Sequence, residues 1–368
     1  MTRQSRWPSA LALALAATAA ACASVPEGPI AGAPPTFDEK MVAILQLEDR
    51  RILRLPEAEL PPPVPPVPGQ RVVIAAPPPD ILSLLTDGEA QVRRRAALAA
   101  GRVGLPEAIG PLTAVLTDDP EPEIRLIAAF AMGLIGDASA AEPLLAALED
   151  PDPRVEARAA EALGLIGHRD AAAAIAARVR ARVDAGALAS VQPDDLAWPQ
   201  APEVEVVRLG AYALVRLGDY DALTRALLDA GGRPVSQWWP VAYAFQRIGS
   251  PDAVPVLLDL LASEGQLTRS FAARGLGASG DTRAVAPLVA IVEDAQAPQA
   301  VRVQAVRGLA ALGAAEAGPA VARLLTTRDT SSALRLEATA ALGRVGGDIA
   351  VDLLIDLLTD PAPAIRGA

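Results

Sequence analysis

The chain of 368 residues is poor in chemically reactive side chains, with one cysteine, Cys22, and one histidine, His168. The single cysteine excludes a disulfide within the chain, so the cysteine count assigns no cellular compartment. One cysteine and one histidine far apart in sequence do not form a nucleophile–base pair or a zinc site. The glycine-rich stretches lack the phosphate-loop pattern and its lysine. These absences predict a protein that is not an enzyme and that holds no metal and no cofactor.

Positive charge is also scarce, because 33 basic residues stand against 44 acidic residues and the formal net charge is −11. Lys40 is the single lysine, so the other basic residues are arginines. An acidic surface repels phosphate backbones and anionic lipid head groups, which argues against nucleic-acid binding. Contact with a membrane would then come through a covalent lipid only.

Glycine, in contrast, returns behind the same kind of apolar helix in steps of 31 to 33 residues, with one longer step of 51. The eight glycines are Gly104, Gly136, Gly167, Gly218, Gly249, Gly280, Gly313 and Gly346. A period of this length predicts stacked helical units rather than one globular core. Such arrays bind other molecules along an extended surface, so the period favours a binding protein.

The unit at residues 119–136 reads DPEPEIRLIAAFAMGLIG and shows the pattern most completely. Asp and Pro open it, as is typical of the start of a helix. Apolar residues such as Ile124, Ile127 and Leu134 follow at helical spacing. Gly136 is expected to end this helix in a left-handed conformation. A second helix is predicted to begin near residues 142–143, so each unit is a helix pair.

Arginine stands eleven residues before five of the eight glycines, and aspartate stands six residues before three of these arginines. The arginines are Arg93, Arg125, Arg269, Arg302 and Arg335, and the aspartates are Asp87, Asp119 and Asp329. One interpretation is a basic ladder that binds an anionic ligand. The other is that each arginine pairs with the aspartate of its own or a neighbouring unit, which we favour because the opposite charges recur together.

The motif D-P-x-P-x-[IV]-R-x-x-A-A-x-A-[LM]-G-x-[IL]-G is nearly complete at 119–136 and at 150–167. This motif resembles the HEAT-repeat family, in the short variety named after phycobilisome lyases. The resemblance covers roughly residues 80–368. It implies an all-α fold, a right-handed α-solenoid of about eight two-helix repeats with the last repeat incomplete. It further implies that the second helices line a concave, partner-binding face, and it says almost nothing about function.

Residues 1–21 have the features of an export signal, with two arginines followed by an apolar run from Ala10 to Ala21. That run is too short for a spanning helix. Ala19-Ala20-Ala21 before Cys22 resembles a bacterial lipoprotein cleavage site, which implies lipidation of Cys22 and a periplasmic or outer-membrane-associated lipoprotein. Cleavage after Ala23 and an uncleaved leader are the alternatives.

Residues 22–36 are small and Pro-rich, which predicts a disordered linker. Thr36 and Glu39 form a capping box that opens a short amphipathic helix over residues 37–55. This helix either folds against the first repeats or docks a partner. Residues 56–79 are so rich in proline that we expect an extended spacer before the solenoid at 80–368.

The 51-residue step indicates an insert near residues 183–202, and aromatic residues concentrate around it and in the two divergent units that follow. Six of them are candidate protein-binding residues: Trp198, Tyr212, Tyr220, Trp238, Trp239 and Tyr243. Aromatic side chains are common in binding hot spots. They also fill gaps where units deviate from the consensus, so both interpretations stay open.

The sequence thus predicts a monomeric, non-catalytic scaffold or adaptor that binds a protein partner at the bacterial cell envelope. Two alternatives remain. The chain stops at Ala368 inside the first helix of another unit, and the "LEDRR" stretch at 47–51 with a following array resembles the front half of exported proteins, some of which carry a cyclophilin-type prolyl isomerase domain. A bilin-lyase-like chaperone is the second alternative, from repeat similarity alone.

Overall fold

The computed structural model describes residues 30–31, 34–59, 73–74, 78–327, 330–346 and 348–368. The leader 1–21, the lipidation candidate Cys22, most of the two Pro-rich linkers and Asp329 lie outside the described residues. The chain forms two units. The smaller one, Met1–Pro35 with Glu57–Pro78, contains strands β1 (Ile30–Ala31) and β2 (Val73–Ile74), which pair in parallel.

The larger unit, Thr36–Pro56 with Pro79–Ala368, contains the α-helices. Within the described residues, helices α1 to α19 are Phe37–Asp49, Ile81–Leu84, Ala90–Val103, Ile109–Asp118, Pro122–Ile135, Ala141–Ala147, Pro153–Ile166, Ala172–Asp184, Pro202–Leu217, Tyr220–Leu227, Trp239–Ile248, Val254–Leu261, Gln266–Ala278, Val285–Glu293, Gln299–Leu312, Gly318–Thr326, Ser332–Val345, Asp348–Leu357 and Pro363–Arg366. From α3 onwards the odd-numbered helices are the first helices of repeats and the even-numbered ones are the second helices. The predicted all-α solenoid is therefore confirmed.

The periodic glycines end the first helices, as the sequence predicted. All eight have φ between +62° and +79°. At Gly136, for example, φ is 74° and the N–H donates to the carbonyl oxygen of Met132, which is the geometry of a left-handed C-cap. A residue with a Cβ is strained at such a φ, so glycine marks each point where the chain leaves one helix for the next.

Small residues let successive first helices pack closely. A Cβ on Gly101 of α3 would lie 2.7 Å from the Cα of Ala131 in α5. A Cβ on Gly164 of α7 would lie equally close to the Cα of Ala213 in α9. Real Cβ atoms do not approach a backbone atom so closely, so these glycines set the spacing of the stack.

The solenoid begins earlier than the boundary at residue 80 that the sequence suggested. Helix α1 packs on α3 and buries Ile44 and Leu47. The Ile81 N–H, at the start of α2, donates to the carbonyl oxygen of Leu53 at 3.0 Å. Because α1 and α2 both contact α3, they form a first, irregular helix pair of the larger unit.

The insert occupies residues 185–201, between α8 and α9, close to the position that the 51-residue step indicated. It is held to the later repeats by its backbone and by one carboxylate. Pro193 accepts a hydrogen bond from the N–H of Trp239 at 2.8 Å. Asp194 accepts from the N–H groups of Gln266 and Leu267 at 2.6 and 2.9 Å, which caps the N-terminus of α13. The insert therefore reaches from the fourth regular first helix to the sixth.

Candidate protein-binding surface

Five aromatic residues form one surface along three successive first helices and the insert. We call Trp198, Tyr212, Trp239, Tyr243 and Phe271 the aromatic face. The rings of Tyr212 and Tyr243 lie 5.3 Å apart, edge to face, and Tyr243 lies 5.4 Å from Phe271 in the same arrangement. Phe271 stacks on Trp239 at 5.9 Å. These four side chains are each half-buried, so their exposed edges are continuous from α9 to α13.

Trp198 extends the aromatic face onto the insert and is 71 % exposed. It is joined to α9 by Arg208, whose guanidinium carbon lies 5.2 Å from the centre of the Trp198 ring and 5.7 Å from that of Tyr212. Cations over aromatic rings at this distance attract them. Arg208 thus holds together two rings that come from different elements.

Two of the six predicted binding residues lie elsewhere. Trp238 is only 1 % exposed, and its indole N–H donates to the carbonyl oxygen of Asp195 at 3.2 Å, so it packs inside the solenoid and cannot contact a partner. Tyr220 begins α10 and contacts the buried ring of Phe245 at 6.3 Å. Burial raises the pKa of the Tyr220 hydroxyl. Trp238 thus fits the gap-filling interpretation, whereas Tyr220 is half-buried like Tyr243 but lies on a second helix, outside the aromatic face.

The position of the aromatic face also differs from what the family resemblance implied. It is built by the first helices α9, α11 and α13, whereas the resemblance placed the partner-binding face on the second helices. Sequence reasoning missed Phe271 and Arg208. Phe271 stands nine residues before Gly280 and Tyr243 stands six before Gly249, so both lie on one helix face when the repeats are aligned on their glycines.

Three of the five repeat arginines pair with an aspartate of the next repeat, whereas Arg302 donates to the carbonyl oxygen of Val292 and Arg269 Nε is buried without a partner among the described residues. Arg93 donates to the carboxylate of Asp119 at 2.6 and 3.1 Å, and Arg125 donates to that of Asp150 at 2.8 and 2.9 Å. Each pair joins one repeat to the next. Bidentate pairing of this kind is strong and directional. These guanidinium groups are thus engaged in the fold, which argues against a ladder for an anionic ligand.

The same arrangement occurs at both ends of the described array. Arg335 donates to Asp360 at 2.7 Å, and Lys40 of α1 lies 2.8 Å from the carboxylate of Asp87. The hydrogen bond with Asp87 raises the pKa of the Lys40 ammonium. The sequence had suggested that these aspartates are the N-cap residues of the first helices, but they are not. Asp119 instead accepts from the N–H of Glu121 at 3.0 Å, and Glu121 is the N-cap residue of α5.

The central repeats break this pattern with a buried acid. Glu156 of α7 occupies the fourth helical position, where α3 and α5 have arginine, and its side chain is fully buried. It accepts from the Nε of Arg178 at 2.9 Å and from two nitrogens of Arg182. The hydrogen bond to Glu156 raises the pKa of Arg178. This ionic cluster fastens α8 to α7 just before the insert begins.

Two kinds of site are missing from the described part of the chain. It contains no group of three or more histidine, cysteine, aspartate or glutamate side chains able to hold a metal ion. None of its helices combines the length and the apolar character that crossing a membrane requires.

The family model for HEAT repeats matches residues 110–192, 240–300 and 295–368, which is more than half of the chain. The chain belongs to the HEAT-repeat family. HEAT-repeat proteins commonly bind protein partners, and their fold is generally non-catalytic. None of the curated proteins matches this HEAT-repeat protein.

Among solved structures, three are similar to this chain at low sequence identity. The complex of CpcE and CpcF of phycocyanin lyase from Nostoc sp. PCC7120 is 20 % identical, covers 80 % of this chain and 98 % of that chain, and has a TM-score of 0.36. YibA from E. coli is 16 % identical, with coverages of 91 % and 97 % and a TM-score of 0.43. An engineered protein is 23 % identical, with coverages of 78 % and 85 % and a TM-score of 0.44.

Proposed function

We propose that this HEAT-repeat protein is a non-catalytic scaffold that binds a protein partner through the aromatic face. The observation that carries the proposal is the continuous row of half-buried rings from Tyr212 to Phe271, next to the exposed Trp198. Aromatic residues dominate binding hot spots because they bury a large apolar area at a small cost in side-chain entropy. The stacked repeats would supply the rigid support.

The insert supports the proposal because it fixes the aromatic face before any partner arrives. The carbonyl oxygen of Asp195 accepts from the indole N–H groups of both Trp238 and Trp239, at 3.2 and 2.9 Å. The backbone of Trp239 is bonded to Pro193 as well. Side chains that are already ordered lose little entropy on binding, which raises affinity.

A site-specific photocrosslinker tests the proposal. It is placed at residue 243 or, as the matched control, at residue 220, where a tyrosine of the same chain contacts the interior. Envelope extracts of the producing cell supply the partner. We expect one protein to crosslink from residue 243 and not from residue 220. Equal crosslinking from both positions, or none from residue 243, would contradict a partner site on the aromatic face.

The same partner then serves to measure the Tyr243→Ala variant. A hot-spot residue contributes at least about 2 kcal/mol, so affinity should fall roughly 30-fold. Tyr220→Ala should leave the affinity within about threefold, provided that circular dichroism shows both variants to be folded. An unchanged affinity for Tyr243→Ala would place the partner elsewhere.

We also propose that the scaffold works at the bacterial cell envelope as a monomer on a lipid anchor at Cys22. The support is the pattern of residues 1–22 alone, with its arginines, apolar run and small residues before the cysteine. Mass spectrometry of the mature N-terminus should find diacylglyceryl-Cys22. A free N-terminus at Ser24 would reject the anchor. The prolyl isomerase and bilin-lyase-like alternatives stay predictions.

A further inference from the structure

A pocket opens beside Trp198, between α7, α9 and the end of the insert. It has a volume of about 150 Å³, well above the roughly 10–15 Å³ that one water molecule needs on this measure, so it has room for an amino-acid side chain. Its apolar lining consists of Leu126, Ala157, Trp198, Pro199, Pro202 and Leu209. The pocket shares Trp198 with the aromatic face, so a partner bound there also meets the pocket.

One carboxylate that lines the pocket has an oxygen without a hydrogen-bond partner among the described residues. Glu205 of α9 lines the pocket, and its Oε2 accepts from Arg208 Nε at 3.0 Å. Its Oε1 is buried and has no hydrogen-bond partner in the described part of the chain. A buried acceptor without a donor is rare in native proteins, because the group has lost water and gained nothing. A ligand that brings a donor would satisfy it.

The cations around the pocket are already paired. Arg154 lies 2.6 Å from Asp152, and Arg158 lies 2.5 Å from Glu161. Arg208 is bound to Glu205 itself. An anionic ligand would therefore have to displace an existing carboxylate, whereas a cationic ligand would meet Glu205, of which only Oε2 has a donor. The excess of 44 acidic over 33 basic residues favours the approach of a cation as well.

We propose that this pocket receives an arginine or lysine side chain of the protein partner. The aliphatic stem lies against Leu126 and Leu209, the charged head donates to Glu205 Oε1, and the exposed ring of Trp198 flanks the cation. This inference rests on the proposed function, because it names the chemistry by which the partner's surface is recognised next to the aromatic face.

Short peptides test the proposal on the intact protein. The probes are Ac-Ala-Ala-Xaa-Ala-Ala-amide with arginine, norleucine or glutamate at Xaa, and the readout is the ¹H–¹⁵N signal of the Trp198 indole, assigned with Trp198→Phe. We expect a saturable shift with the arginine peptide and at least tenfold weaker binding of the other two. Equal binding of the norleucine peptide, or tighter binding of the glutamate peptide, would overturn the proposal without any variant.

A matched pair of variants tests the role of the carboxylate. Glu205→Gln should weaken the arginine peptide at least tenfold, whereas Glu203→Gln, which removes an exposed charge from the same turn of α9, should change it less than threefold. An equal effect of both changes would show that only the overall negative charge matters, and it would contradict the proposal.

The two proposals fail in different ways. If a partner still crosslinks from residue 243 but no arginine preference is found, the scaffold proposal stands and the pocket inference falls. If the arginine peptide binds as expected but nothing crosslinks from residue 243, the pocket binds a basic side chain and the aromatic face does not carry the partner.

Discussion

Replacing Glu156 by glutamine should weaken the centre of the solenoid more than any exposed charge change of the same kind. The carboxylate is fully buried and binds Arg178 and Arg182, whose side chains are only about one quarter exposed, at 25 % and 24 %. Glutamine keeps the shape of the side chain but loses the charge. Its amide nitrogen is a donor, so it cannot accept a hydrogen bond from the guanidinium that it faces. Two partly buried cations are then left with half of their acceptors.

The magnitude follows from the geometry. Removing one member of a buried ion pair costs about 3–5 kcal/mol, and here both arginines can turn partly into water, so we expect a loss of about 3 kcal/mol. Urea denaturation followed by circular dichroism measures the loss, and hydrogen exchange should localise it to α7 and α8. The control is Glu149→Gln, because Glu149 is 71 % exposed while also binding Arg178. It should cost less than about 0.5 kcal/mol. Equal losses for the two variants would refute the reasoning.

Two further predictions concern helix packing and the first helix pair. Gly101→Ala should destabilise the protein by about 2 kcal/mol in urea denaturation, because the new Cβ would lie 2.7 Å from the backbone of α5. The control is Gly343→Ala at the equivalent position of α17, where a Cβ meets no atom within 4 Å. This change should be neutral or slightly stabilising. The Lys40–Asp87 pair should hold α1 on α3, so Asp87→Asn should accelerate acetylation of this single lysine at fixed pH, while Asp118→Asn should not; equal rates would contradict the docking role. Burial alone would raise the pKa of Asp87, but hydrogen bonds from Lys40 and Glu89 outweigh it, and the pKa lies below its ordinary value of 3.8. The contribution of Asp87 to the free energy of unfolding is therefore present above pH 3.8 and is lost as the pH falls through the lowered pKa. The contribution of Lys40, whose pKa lies above 10.5, is lost only as the pH rises through that raised pKa. The difference in urea midpoint between the wild type and Asp87→Asn should thus shrink as the pH falls below 3.8.

The fold could be predicted from the sequence because the repeat carries its own boundaries. A glycine such as Gly136 is needed where the helix must turn left-handed, and that requirement is local, so it shows in the sequence at every repeat. The apolar spacing between two such glycines is local as well. The α-solenoid follows from these two signals without knowledge of any long-range contact.

The composition of the site could not be predicted in the same way, as Trp238 and Trp239 show. They are neighbours of the same type, yet the first is 1 % exposed and the second lies on the aromatic face. The difference depends on where α11 begins and on the insert, whose Pro193 and Asp195 bind both residues from more than 40 positions earlier in the chain. No local pattern contains that information.

The ion pairs between repeats could be predicted only in part, for a related reason. The sequence showed that Arg125 recurs with an aspartate, but Asp119 precedes it by six residues and Asp150 follows it by 25. The structure gives Arg125 the carboxylate of Asp150 and the carbonyl oxygen of Asp119, at 3.0 Å. Which of the two receives the salt bridge depends on the spacing of the stacked repeats, which only the packing of their first helices determines.

The fourth position of the first helices connects stability with the proposed binding surface. It holds a basic residue in α1, α3, α5, α13, α15 and α17. In α7 and α9 it holds Glu156 and Glu205, and in α11 it holds Ala242. The basic residue is thus replaced in α7, α9 and α11, which flank the insert and carry the pocket and part of the aromatic face. Glu156 fastens α8 to α7 with both of its oxygens, whereas Glu205 lines the pocket and has one oxygen, Oε1, without a donor. This difference between two acids at the same helical position is why we assign stability to the first and recognition to the second.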